Sequence, residues 1–277
     1  MTWGVWGKNY NTFDMAKMIH CCMSNDITSF DHADIYGDYT NEADFGKALI
    51  ESRIDRASIQ LISKCGIQMK VAARNNSIKH YDYSKEYIIW SVEQSLKNLH
   101  TDYLDLLLLH RPSPLMQADE IAAAVDALKS DGKILDFGVS NFTPSQTALI
   151  QQKTKISYNQ IEFSLTHSEA MTNGSLDDMQ LKNIIPMSWA PLGTFFKKQD
   201  AQSDKLKNAV TTLSDKYGVT DDIILLSWIL KHPARILPVI GTTDPLRITN
   251  AMKSMNIELE LQDWFALWSA SMGRDVA

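Results

Sequence analysis

The sequence predicts an α/β fold of the (β/α)8 barrel class, a TIM barrel whose first strand is shortened. Three observations predict it. Strand-like and helix-like segments alternate along all 277 residues. Strict alternation implies parallel strands joined by crossover helices. The strand segments number eight, in a chain close to the roughly 250 residues typical of such barrels. An open doubly wound sheet would carry a glycine fingerprint after its first strand, yet the 12 glycines contain no G-x-G-x-x-G and no P-loop. No composition shift or low-complexity tract divides the chain, so residues 1–277 read as one domain.

The elements follow in order. "WGVW" (3–6) reads as the remains of the first strand. Met15, Met18, Ile19 and Cys22 recur at helical spacing within 12–24. "TSFDHA" (28–33) is a strand, 41–52 a helix and "IQLISKCG" (59–66) a strand. Ile88, Ile89, Val92, Leu96 and Leu99 make one face of a helix over 85–99, with Ser84 suited to cap it. "YLDLLLLH" (103–110) is a continuous apolar run, as in a strand buried on both faces. A helix over 118–130 stops before Gly132, which suits the first position past a helix end. "ILDFGVSN" (134–141) is a strand, 144–152 a helix opened by Pro144, and "ISYNQIEF" (156–163) a strand. A helix over 175–183 leads to the strand "IIPMSWAPL" (184–192). Helices over 203–217 and 221–231 precede the strand "RILPVIG" (235–241). Helices from Pro245 and over 261–270 close the chain.

Composition narrows the function. The net charge of −6 argues against a general nucleic-acid binder, since neutralising phosphates takes surplus lysine and arginine. It argues equally against a membrane-surface protein. Three cysteines form no disulfide framework and suit a reducing, cytoplasmic setting. No signal peptide is visible, and the longest apolar run is too short to span a bilayer.

The barrel rule places chemistry at the carboxyl ends of the strands. "FDHADIYG" (30–37) packs two aspartates, a histidine and a tyrosine into eight residues at one such end. Asp31, Lys64 and His110 each close an apolar run; Ser140 and Asn141 close the next, Gln160 lies within the following strand and Trp189 late in the one after. Each has a plain structural role open to it: a loop-bonded histidine, a solvated lysine, a capping aspartate, a rim tyrosine for Tyr36. Their joint placement on consecutive strands favours chemistry. A phenol's ordinary pKa near 10 makes it a poor acid at neutral pH, and a nearby ammonium lowers it. Lys64 can supply that charge, Asp31 can hold Lys64, and His110 can donate a hydrogen bond to a developing oxyanion. The set would protonate an oxygen while hydride reaches the carbon. A metal-dependent hydrolase using Asp31, His32, Asp34 and His110 is the competing reading. Adjacent residues of a strand point to opposite faces, which separates His32 from Asp31, so no metal is expected.

"FDHADIYG", the "SK" at 63–64, "LDLLLLHRP", "GKILDFGVSNF", "NQIEF" and "SWAPLG" together resemble the successive motifs of the aldo-keto reductases, in order over nearly the whole chain. The likeness is greatest to the short, monomeric bacterial branch without a long C-terminal loop. It implies reduction of aldehydes and ketones by hydride from NADPH, without metal. Asp31, Tyr36, Lys64 and His110 match the family's catalytic tetrad. Ser140, Asn141 and Gln160 would hold the nicotinamide carboxamide, and Trp189 replaces a tyrosine that stacks on the ring. Leu192 and Gly193 would run beside the pyrophosphate. Gly241, Thr242 and Arg247 match the adenosine-phosphate segment, where Arg247 suits a 2′-phosphate. Trp6 and Tyr39 would wall an apolar substrate pocket.

Departures from the family pattern are expected to matter. Many relatives have lysine at Gly241, a Glu-Asn pair at Asn250 and Ala251, and threonine at His32. NADPH nevertheless remains expected over NADH. Relatives usually carry an N-terminal hairpin before "WGVW", so the first strand is expected to be partial, with Gly4 and Trp6 at its upper end. The expected partner is a small carbonyl compound, with no nucleic acid and no membrane. An NADP(H)-binding regulatory barrel with little catalysis is the alternative. The charged loop between Gly66 and Tyr83 reads as solvated.

Overall fold

The computed structural model describes residues 2–277, which fall into two compact units, one ending at Asn159 and one running from Gln160 to Ala277. In the first unit, residues 2–8 form turns, and "WGVW" is not a strand. The reason is local. Gly7 and Asn9 amides both donate to the Gly4 carbonyl, so the segment satisfies its own backbone. Trp3 anchors it against Phe30 and Phe45, with ring centroids 6.3 and 6.4 Å away.

The elements of this unit then follow in order. Helix α1 (Thr12–Met23) is capped by Asn11 and buries Met15, Met18, Ile19 and Cys22. Strand β1 (Ser29–Asp31) and helix α2 (Asn41–Ser52) come next. Strand β2 (Gln60–Cys65) leads into a two-stranded hairpin, β3 (Ile67–Gln68) with β4 (His80–Tyr81). That hairpin lies in the loop expected to be merely solvated. Two-residue strands carry too little alternation to be read from sequence. Helix α3 (Lys85–Leu99) starts where the Ser84 hydroxyl accepts from the Tyr87 amide. Strand β5 (Leu104–Leu109), helix α4 (Ala118–Ser130), strand β6 (Ile134–Ser140) and helix α5 (Pro144–Gln151) complete it, and strand β7 (Tyr158–Glu162) runs into the second unit.

Within the first unit β1, β2, β5 and β6 pair in parallel in that order. The register sets Asp31 beside Ile62 and Lys64 beside Leu108. Leu106, Leu107, Leu108 and Leu109 are all buried. The continuous apolar run of β5 is therefore an interior strand, and the chemistry-bearing side chains begin where it ends.

The second unit contains helix α6 (Ser175–Leu181), strand β8 (Ile185–Trp189), helices α7 (Ala201–Tyr217) and α8 (Asp221–Leu230), strand β9 (Leu237–Val239), and helices α9 (Pro245–Lys253) and α10 (Leu261–Met272). Strands β8 and β9 pair in parallel. Helix α8 is apolar on every side and buried from Ile223 to Ile229. Its Trp228 stacks on Trp264 at 5.0 Å, and each indole N–H donates to the other residue's carbonyl. Among the described residues no helix is long and apolar enough to cross a membrane.

Candidate active site

Three strand ends of the first unit bring four of the expected side chains together. Lys64 lies near the end of β2 with its side chain fully buried. Its Nζ donates to both Asp31 carboxylate oxygens at 2.8 and 2.7 Å, and to the His32 carbonyl at 2.8 Å. It also lies 3.3 Å from the Tyr36 hydroxyl. The His110 ring meets the Tyr36 ring edge-on at 5.7 Å and 79°. The backbone of His110 continues β5, its amide donating to the Cys65 carbonyl. Asp31, Tyr36, Lys64 and His110 thus form one cluster.

The electrostatics follow from burial and charge. Burial works against the Lys64 ammonium, but the Asp31 carboxylate outweighs it and holds the lysine pKa above its ordinary value. Burial holds His110 well below the imidazole range, aided by Lys64 and Arg111, so the ring is neutral. Its Nδ1 is buried without a hydrogen-bond partner among the described residues. Tyr36 departs from expectation. Lys64 does pull its pKa down, but burial, joined by the Asp31 charge, pushes harder, and the net direction is upward. The sequence shows the ammonium beside the phenol but not how deeply the phenol is buried.

The neighbouring residues divide. Trp6 lies over Tyr36 with ring centroids 6.1 Å apart, and the residue is 42% exposed. Tyr39 is tied elsewhere. Its hydroxyl accepts from the Met69 amide at 2.9 Å, and the ring stacks under the Arg74 guanidinium at 4.2 Å. It lines a cavity of about 190 Å³ with Asp34, Glu42, Arg74, Trp90 and Ser91, and none of the four clustered side chains lines that cavity. His32 packs edge-on against Phe45 of α2 at 4.3 Å, while Asp31 turns to Lys64.

A support missed from sequence is Tyr83. Its hydroxyl donates to the Arg111 carbonyl and accepts from the Arg111 amide, bracing the turn after His110. Gly66, at φ +110°, makes room for it: a Cβ there would lie 2.0 Å from the Tyr83 ring. The sequence signal was the glycine immediately after a strand end.

The remaining predicted residues sit at strand ends and turns in their own units. In the first, Ser140 ends β6 and accepts from the Asn141 side-chain amide at 2.8 Å, Asn141 being left-handed at φ +60°. In the second, Gln160 is buried within β7 and Trp189 ends β8. Leu192 and Gly193 follow in a turn where the Gly193 amide donates to the Ala190 carbonyl. A Cβ on Gly193, at φ +52°, would strike the Thr166 hydroxyl at 2.0 Å. Gly241 and Thr242 precede α9, and Arg247 lies exposed on its first turn, 3.9 Å from the Asp244 carboxylate.

This arrangement defines an NAD(P)H-dependent oxidoreductase acting on carbonyl groups, built on a (β/α)8 barrel fold. The chain belongs to the aldo-keto reductases: the sequence model of the Aldo/keto reductase family matches residues 1–271. It is 40% identical to a 6-dehydroglucose reductase of Agrobacterium fabrum, over 94% of this chain and 88% of that protein. It is 37% identical to the oxidoreductase YdhF of Escherichia coli, over 99% and 93%. A crystal structure of an aldo/keto reductase from Klebsiella pneumoniae, in complex with NADP and acetate, has a TM-score of 0.81 at 21% identity. That match covers 96% of this chain and 88% of the other.

Proposed function

We propose that this chain reduces aldehydes and ketones with NADPH, using Tyr36 as the general acid assisted by Lys64, Asp31 and His110. One observation carries the reading: the buried Lys64 ammonium is shared between the Asp31 carboxylate and the Tyr36 hydroxyl, with the neutral His110 ring packed edge-on against the Tyr36 ring.

Each residue has a distinct task. When bound, the reduced cofactor supplies the hydride to the carbonyl carbon. Tyr36 gives its proton to the carbonyl oxygen. Its raised pKa keeps that proton in place until charge develops. An alkoxide is a stronger base than a phenolate, so the transfer remains favourable. Lys64 then steadies the phenolate left behind, and Asp31 keeps Lys64 charged and aimed. Neutral His110 donates an N–H to the same oxygen, as preorganised donors do at a developing oxyanion. Trp6 gives the substrate an apolar wall.

The donor set suits a nicotinamide dinucleotide. Ser140, Asn141 and Gln160 offer the hydroxyl and amide groups that a carboxamide requires. Trp189 offers a ring face. At Gly193 the backbone comes too close to Thr166 and Ser164 for a side chain, leaving the amides of Leu192 and Gly193 to approach the pyrophosphate. Gly241 and Thr242 precede a helix N-terminus that carries Arg247, a setting that favours a phosphate. That cation supports NADPH over NADH. We take the protein as a monomeric, cytoplasmic, single-domain enzyme over residues 1–277, without nucleic-acid or membrane partners.

The test uses purified protein with a nitrobenzaldehyde and with 6-dehydroglucose, each with NADPH and with NADH. Tyr36→Phe should lower kcat by about 10²- to 10⁴-fold, the usual worth of a general acid. It should leave quenching of tryptophan fluorescence by NADPH unchanged. Wild-type turnover in Tyr36→Phe would overturn the acid assignment, and equal KM values for the two cofactors would overturn the choice of NADPH.

A further inference from the structure

Behind the turn that carries Tyr36 lies a second pair of acidic side chains. Asp34 and Glu42 are both buried and line the cavity of about 190 Å³ described above. The Asp34 Oδ2 accepts from Ser91 at 3.1 Å and from the Tyr87 hydroxyl at 3.3 Å, both on α3. The Asp34 amide donates to the Lys64 carbonyl at 3.0 Å. The carboxyl thus ties one end of the turn to α3. Its Oδ1 has no hydrogen-bond partner among the described residues. Glu42 accepts from the Ser63 hydroxyl and holds the other end, at the start of α2.

The chain between these anchors is strained. Gly37, Asp38 and Tyr39 are successively left-handed, at φ +62°, +54° and +72°. For non-glycine residues that conformation costs about 1–2 kcal/mol each and persists only where the surroundings impose it. Several bonds impose it, the Met69 amide on the Tyr39 hydroxyl among them. The Asn41 amide donates to the Tyr36 carbonyl at 3.1 Å, and the Thr40 hydroxyl donates to the Gly37 carbonyl at 2.8 Å. Any force between Asp34 and Glu42 therefore acts on the segment that aims Tyr36.

We propose that Asp34 is a positioning residue for Tyr36: with Glu42 it holds the turn closed while the two carboxyls carry at least one proton, and it loosens the turn when both ionise. Like charges lining one small buried cavity cannot both ionise without repulsion. The other titratable groups near the pair relieve this repulsion only in part: the Lys64 charge favours the ionised Glu42. Cys65, Tyr39, Tyr83 and Tyr87 are all pushed up, chiefly by burial, and stay neutral. Lys64 is committed to Asp31. Arg74 lines the same cavity as a positive charge, its guanidinium stacked between Tyr39 and Trp90 at 4.2 and 4.5 Å, and tempers the repulsion without abolishing it. Burial, with Glu42, pushes Asp34 up to about 7, and Glu42 is itself raised by burial. Asp34 therefore changes charge within the working range of an enzyme, beside a Glu42 whose charge opposes its ionisation.

The inference rests on Tyr36 being the acid, so the test has one readout that requires turnover and one that does not. In wild type, kcat should fall about threefold between pH 6 and pH 8, far short of the ~100-fold that gross misplacement can cost. In Asp34→Asn, which keeps acceptors for Ser91 and Tyr87 but carries no charge, the profile should be flat. Asp34→Ala should lower kcat at every pH with an unchanged KM for NADPH. Hydrogen exchange of residues 33–41, corrected for intrinsic rates, should lose protection from pH 6 to 8 in wild type and keep it in Asp34→Asn. If Asp34→Asn does not fold, Glu42→Gln must flatten both readouts. An exchange pattern in wild type that does not change with pH, or an unaltered pH limb in either neutralised variant, overturns the proposal. Turnover retained in Tyr36→Phe overturns the acid assignment alone and leaves the exchange result standing.

Discussion

Two acidic sites flank the same turn and are built on opposite principles. On one side Asp31 faces the buried Lys64 ammonium, so a fully desolvated cation is matched by a carboxylate at 2.7 Å. On the other, Asp34 faces Glu42, and hydroxyl groups supply the nearest donors. At the matched site Lys64 stays ionised although burial opposes it. The two buried carboxyls yield instead: burial raises the pKa of each, and at Asp34 the Glu42 charge adds to it. Burial pushes each of these groups toward its neutral form, and at Lys64 the directly bonded opposite charge of Asp31 outweighs it. The same contrast operates within the cluster at Tyr36, where the ammonium is present but burial prevails.

Substitutions at the two sites should therefore differ in sign. The largest effect is expected for Asp31→Asn, which leaves the Lys64 ammonium buried without its counter-charge. Breaking one partner of such a pair destabilises by about 3–5 kcal/mol, measured as a lower urea midpoint at pH 7. A midpoint like wild type would show that the lysine finds another partner or loses its proton cheaply. Glu42→Gln should act the other way.

The sign follows from proton counts. Asp34 takes up a proton more readily folded, at about 7, than at its ordinary 3.8. Stability is therefore full below about pH 3.8 and falls as the pH rises through 7. Removing the neighbouring charge should lower the Asp34 pKa and shrink that loss. The thermal midpoint of Glu42→Gln should drop less than wild type between pH 5 and 8. An equal drop would separate the two carboxyls energetically.

The smallest effect is expected for Ser91→Ala, which removes one donor to Asp34. It should cost about 0.5–1.5 kcal/mol, as for a typical hydrogen bond, and move the pH-sensitive window upward. A window moved downward would mean that Ser91 does not favour the ionised carboxyl.

Much of this was legible in the residues. The helices at 41–52 and 85–99 fall at the expected positions because apolar spacing and the Ser84 cap are local signals. The run from Leu104 to Leu109 announced an interior strand. "WGVW" misled because four residues with two tryptophans suit a strand and a packed turn equally, and Trp3 finds its partners on Phe30 and Phe45. Tyr39 was expected at a pocket wall from its type and position alone; that its hydroxyl accepts from the Met69 amide, just past β3, was not legible.

The order of residues along the chain was enough to determine the alternation of strands and helices, and to set Asp31, Lys64 and His110 each at the end of an apolar run. Those features depend on neighbours within a few positions. Folding had to settle that Tyr36 is buried deeply enough to keep its proton, and that Asp34 and Glu42 share a cavity. Both depend on desolvation by residues far along the chain, such as Trp90 and Ser91 over the Asp34 cavity, which no local pattern encodes.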